Sequence, residues 1–94
     1  MEHNPLISKD NGLEITYSDL KKKKNGEEYI TMYFEQPTAD GHGFDSAECD
    51  YPYGDFRNII GFTQTEIKSL WEYVAKLGQT AFDFSKEDAL AKIC

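Results

Sequence analysis

Apolar and polar residues alternate at Leu13, Ile15 and Tyr17, with Glu14, Thr16 and Ser18 between them. That period of two predicts a strand with one buried face. A second alternating run follows. Ile30, Met32 and Phe34 fall on one side, and Tyr29, Thr31, Tyr33 and Glu35 on the other. Between the runs lie Lys21 to Lys24, Asn25-Gly26 and Glu27-Glu28. Asn-Gly is a strong hairpin signal, because a two-residue type I′ turn needs positive φ at both central positions. Such a turn sets Lys24 opposite Glu27 and Lys23 opposite Glu28, and farther in it sets Tyr17 opposite Phe34. The lysine run then reads as a charge-paired hairpin tip, since opposite charges across strands attract. In this register Leu20 faces outward and Asp19 inward. A β-bulge near Asp19 would correct both.

Residues 36–43 read as a loop by their proline, glycine and polar content. From Phe44 to Tyr51, Ala47, Cys49 and Tyr51 alternate with Ser46, Glu48 and Asp50, which predicts a third strand. The segment Phe56 to Phe62 supplies a short fourth. Residues 1–12 hold Asn4-Pro5 and Asn11-Gly12 and read as a flexible lead-in.

The helical pattern begins at Thr63. Thr63 with Glu66 forms a capping box, in which each side chain satisfies an orphan amide of the first turn. Ile67, Leu70, Trp71, Val74 and Leu77 recur at helical spacing as one apolar stripe, with Lys68, Glu72 and Lys76 opposite. Gly78 fits the left-handed position that ends many helices. Ser85 and Asp88 then open a short last helix, with Ala89, Leu90 and Ile93 inward. The expected fold is α+β. A three- to four-stranded antiparallel sheet carries one amphipathic helix on a face, and a short C-terminal helix follows. Residues 13–94 make a single small domain.

Charge narrows the range of functions. The 94 residues carry a formal charge of −7, from 17 acidic and 10 basic side chains. Phosphate backbones and anionic membrane surfaces repel such a chain, so direct nucleic-acid binding and membrane attachment are disfavoured. No secretory signal pattern and no apolar span are present, and the two cysteines make neither a disulfide framework nor a zinc site. The expected compartment is the cytoplasm, with reduced thiols.

Two functional readings remain. Asn25 to Asp55 holds eight acidic residues and no lysine or arginine. Tyr51, Tyr53, Phe56 and Arg57 crowd a turn at the end of this block. Carboxylates steer a basic partner, and tyrosine and arginine anchor protein interfaces. A non-enzymatic protein-binding module is therefore expected, of the inhibitor, immunity, antitoxin or accessory-subunit type. Its contact residues would be Asp45, Glu48, Asp50, Tyr51, Tyr53, Phe56 and Arg57. The partner is another protein with basic character, and a homodimer is also allowed. The alternative is a small metal-dependent or thiol enzyme using His42, Cys49 and nearby carboxylates. Against it, the run Asp40, His42, Asp45, Glu48, Asp50 lacks the offsets of a calcium loop. Cys49 alternates as a buried strand residue would. No cofactor signature is present.

Overall fold

Six antiparallel strands precede a single long helix in the computed structural model, which describes residues 4–52 and 54–93, with side chains as far as Ala91 at the C-terminal end. The strands are β1 (Asn4–Ser8), β2 (Glu14–Tyr17), β3 (Lys21–Lys22), β4 (Glu28–Pro37), β5 (Phe44–Tyr51) and β6 (Phe56–Ile60), followed by α1 (Gln64–Ile93). They line up as β1-β2-β4-β5-β6, with β3 pairing β4 beyond the end of β2. The architecture is α+β, as expected, with two more strands than the alternation predicted and one helix where two were predicted.

The lead-in is the first correction. Asn4–Ser8 pairs with β2, setting Asn4 opposite Tyr17 and Ser8 opposite Glu14. Pro5 is tolerated there because β1 is an edge strand, where a missing amide breaks no ladder on the open side. The register shifts by one residue between Pro5 and Ile7. Leu6 and Ile7 both pack against the core as a result.

The hairpin tip is the second. Gly26 takes positive φ, at +90°, and Asn25 does not. The Gly26 amide donates to the Lys23 carbonyl at 2.9 Å, and the Lys23 amide donates to the Glu27 carbonyl at 2.9 Å. This is a three-residue loop closed by a glycine bulge, not a type I′ turn. The Asn25 side-chain oxygen accepts the Glu27 amide at 3.0 Å and holds the extra residue in place. Glu28 therefore faces Lys22 instead of Lys23. A second shift comes at the expected bulge, where Ser18, Asp19 and Leu20 span two residues of β4. The bulge buries Ser18, leaves Asp19 exposed and turns Leu20 toward the core. After both shifts Ile15 faces Phe34 and Tyr17 faces Met32.

The helix is the third. Its start follows the expected capping box. The Glu66 amide donates to Thr63 Oγ1 at 3.2 Å, and the Thr63 amide donates to Glu66 Oε1 at 2.9 Å. It does not stop at Gly78, which is buried inside the helix. A β-carbon there would sit 2.5 Å from Cε2 of Tyr51, so this glycine lets the helix approach the sheet. The buried seam runs Leu70, Val74, Gly78, Ala81, Ser85, at helical spacing but with small residues in its second half. Ser85 caps nothing. It is buried, and its hydroxyl donates to the Ser18 carbonyl at 3.0 Å, pinning the helix to the bulge. Leu90 does not turn inward and is 63% exposed. Ile93's side chain lies outside the described part. Thirty helical residues span about 45 Å at 1.5 Å each, which matches the 46 Å long axis of the molecule.

Between helix and sheet lie Ile15, Tyr17, Ile30, Met32, Phe34, Ala47 and Cys49 from the strands, with Leu70, Val74 and Ala81 from α1. Trp71 stands at the margin of this core, not in its middle. It is 39% exposed, with its ring edge-on to Phe56 at 4.9 Å.

Candidate functional site

The helix covers one face of the sheet, and no described element covers the other. On that open face the pairing Thr16–Tyr33–Glu48–Arg57 makes one row across β2, β4, β5 and β6. Glu14–Glu35–Ser46–Ile60 makes the next. Thr31 and Asp50 pair on one side of these rows, and Pro37 and Phe44 on the other.

A continuous polar chain runs across this face. Lys21 Nζ donates to Thr31 Oγ1 at 3.1 Å. The Thr31 hydroxyl donates to Asp50 Oδ1 at 2.7 Å. Arg57 Nη1 meets Asp50 Oδ2 at 2.8 Å, and its Nη2 reaches Glu48 Oε1 at 3.5 Å. Asn58 Nδ2 donates to Glu48 Oε2 at 3.2 Å. Burial opposes the Arg57 charge, but the Asp50 hydrogen bond and the Asp50 and Glu48 charges outweigh it and raise its pKa. Tyr33 lies in the same row. Burial, and then the neighbouring Glu48 carboxylate, raise its phenol above the usual range.

Two local features aim Arg57 at this cluster. Asn58 adopts a left-handed φ of +53°, a conformation asparagine tolerates better than most residues. The β5–β6 register shifts at that point, so Asn58 and Ile59 together oppose Ala47. Such a bulge re-aims side chains and interrupts an exposed strand edge.

Of the seven predicted contact residues, Glu48, Asp50 and Arg57 come together on the open face. Tyr51 and Phe56 turn to the opposite side. Tyr51 packs on the helix at Gly78, with Phe82 at 6.0 Å and its hydroxyl 3.1 Å from Gln79 Oε1. Phe56 packs between Phe34 at 5.5 Å and Trp71. Asp45 lies beside Gly61, close enough that a β-carbon there would overlap its carboxylate. Tyr53 lies outside the described residues, as do His3 and Cys94. The acidic block does not form one surface. Glu27 and Glu28 stay at the hairpin, Asp40 in a loop, and Glu48 and Asp50 are partly neutralised by Arg57.

His42 and Cys49 lie in different settings. His42 is exposed in the β4–β5 loop, and its amide donates to Asp40 Oδ1 at 3.0 Å. The Thr38 hydroxyl and then that amide hold the Asp40 carboxyl below its ordinary pKa. Cys49 is fully buried on the helix-covered face, its sulfur near the carbonyls of Gly54 and Asp50. Burial, with Asp50 adding to it, pushes this thiol up to about 11, which keeps it protonated and unreactive at neutral pH. Among the described residues no group of three His, Cys, Asp or Glu side chains is placed to hold a metal ion. None of the described helix is long and apolar enough to cross a membrane.

Sequence reasoning placed Tyr33, Thr31 and Glu35 on the outer face without giving them a role, read Lys21 only as part of the hairpin tip, and gave no role to Phe44, Asn58 and Ile60. Alternation in β4 and β5 pointed to part of this set. The β6 contribution depends on a bulge that no residue pattern announces.

The molecule is thus an antiparallel sheet with one long helix on one side and a polar, aromatic-edged face on the other. No family model, no curated protein and no solved structure matches the chain.

Proposed function

We propose that this protein is a binding module that engages another protein through the open face of its sheet. One observation carries the reading. An uncovered sheet face presents Lys21, Asp50, Arg57 and Glu48, ordered by bonds that run through the buried Thr31, beside Tyr33, with Phe44 and Ile60 exposed at its end. Side chains already held by one another lose less freedom on binding, which favours recognition. Arginine and tyrosine are also the residue types that most often anchor protein contacts. The reading keeps Glu48, Asp50 and Arg57 as contact residues. It moves Tyr51 and Phe56 to a structural role and replaces them with Tyr33, Phe44 and Ile60. The thiol-enzyme alternative gains no support from a protonated, buried Cys49.

A photo-crosslinking amino acid tests this when placed at Ser46 on the open face and, separately, at Glu72 on the outer side of the helix. Each full-length variant is irradiated in a cell extract. A discrete protein adduct from Ser46 and none from Glu72 is expected. Adducts from Glu72 alone, or from neither position, would overturn the reading.

A further inference from the structure

A depression of about 390 Å³ lies within the open face, lined by Tyr33, Phe34, Glu35, Phe44, Ser46, Ala47 and Glu48. Its shape follows from the sequence. Ser46 is small and leaves a low floor, while the side chains of Phe34 and Ala47 turn to the helix-covered face. Tyr33 and Phe44 rise at opposite ends, two rows apart, and Glu35 and Glu48 stand along the sides.

The electrostatics are one-signed. Glu14 is paired directly opposite Glu35, so a third carboxylate stands next to the Glu35 wall, outside the lining itself. Like charges in direct cross-strand register repel. Among the described residues no cation forms an ion pair with Glu14 or Glu35. The described cations on this face are held away from the depression, with Lys21 and Lys23 lying over the Tyr29 ring at 5.8 and 5.9 Å. Lys21 is bonded to Thr31, and Arg57 is bonded closely to Asp50 and only at 3.5 Å to Glu48. Aromatic faces add negative potential of their own and attract ammonium and guanidinium groups. Phe44 and Ile60, 61% and 63% exposed, offer an apolar shelf on which the methylene stem of a long cationic side chain can lie.

We infer that this depression receives a lysine or arginine side chain from the docking segment of the partner protein. The inference rests on the protein-binding reading and names the chemistry of the partner. The incoming cation would sit over Ser46, between the Tyr33 and Phe44 rings, and offset the repulsion between Glu14 and Glu35. An acidic segment would find no complement there.

The test uses the full chain, isotope-labelled and observed by NMR, titrated with hexalysine at moderate salt. Fully acetylated hexalysine serves as the neutral control. The expected result is saturable shifts centred on Tyr33, Glu35, Ser46 and Glu48, absent with the acetylated peptide. A Glu35→Gln, Phe44→Ala double variant, both residues being exposed, is expected to weaken binding about tenfold, the equivalent of 1.4 kcal/mol. Glu72→Gln with Glu87→Gln, on the exposed side of the helix, is expected to leave it unchanged. Shifts spread evenly over all acidic positions, or equal loss in both double variants, would overturn the inference, as would no binding. If the Ser46 crosslink is found but hexalysine does not bind, this inference fails and the binding reading stands. If the crosslink fails, the reading fails first.

Discussion

The two faces of the sheet are built from the same strands by the same alternation, yet they end in opposite conditions. On the inner face Ile15, Ile30, Met32, Phe34 and Cys49 are completely buried under the helix. On the outer face Glu35, Phe44, Arg57 and Ile60 remain exposed, and Thr31, Asp50, Glu48 and Arg57 satisfy one another laterally, while the buried Thr16 hydroxyl has no hydrogen-bond partner among the described residues. Period two divides a strand into faces but does not say what covers each. That is decided by the one amphipathic element available, and a single helix closes a single face. The inner face thus carries stability and the outer face is left uncovered.

Substitutions can break this contrast, and the largest effect is expected inside. Phe34→Ala removes the largest fully buried side chain. Core aromatic truncation costs about 3–5 kcal/mol, against a total of about 5–15 kcal/mol for a small domain. Urea denaturation should show a large fall in midpoint. Trp71→Ala, at the half-exposed margin, should fall well short of it. Equal losses would mean the tryptophan belongs to the core after all.

Next in size is the helix–sheet contact at Gly78. In an exposed helix interior, glycine to alanine gains up to ~1 kcal/mol. Here the added methyl meets the Tyr51 ring, and overpacking of this kind costs about 1–3 kcal/mol. Gly78→Ala should therefore lower the Tm in the parent and raise it in a Tyr51→Ala background. A stabilising effect in both backgrounds would separate the ring from the helix.

The smallest effect is expected outside. Arg57→Ala breaks ion pairs whose arginine is 43% exposed. Exposed pairs contribute about 0–1 kcal/mol, so thermal melting should barely change. A loss comparable with that of Phe34→Ala would make the outer network a structural element.

Much of the inner face was legible because errors in register cancelled. The three-residue loop at Lys24–Gly26 shifts the pairing by one residue, and the bulge at Ser18–Leu20 shifts it by one more. A net shift of two leaves every side chain on its original face. Ile15, Tyr17, Ile30, Met32 and Phe34 were thus assigned to the correct side from an incorrect set of partners. The capping box at Thr63 was legible because it is a local hydrogen-bond exchange that needs no tertiary context. The rest of the helix was obscured by its own packing. Gly78, Ala81 and Ser85 form a buried seam, but small residues do not register as an apolar stripe. β1 was hidden because Asn4 and Pro5 also suit turns. At the candidate site, Glu48 and Asp50 shared a strand face by simple alternation. Bringing Arg57 to them required the β5–β6 pairing and the left-handed Asn58, which are properties of the folded chain.

The contact between Ser85 and Ser18 joins positions 67 residues apart in the chain. The whole sheet precedes the whole helix. During synthesis the hairpins have their pairing partners early, while the inner face waits for its cover. At about 5–20 residues per second, making the 30 residues of α1 takes roughly 1.5–6 s. Over that interval Ile30, Met32 and Phe34 have no lid, and the nascent sheet is at its most adhesive. The bulges in β1 and β6, at the two outer edges, interrupt the strands through which unfinished sheets stack on one another. Their service is greatest before the molecule is complete.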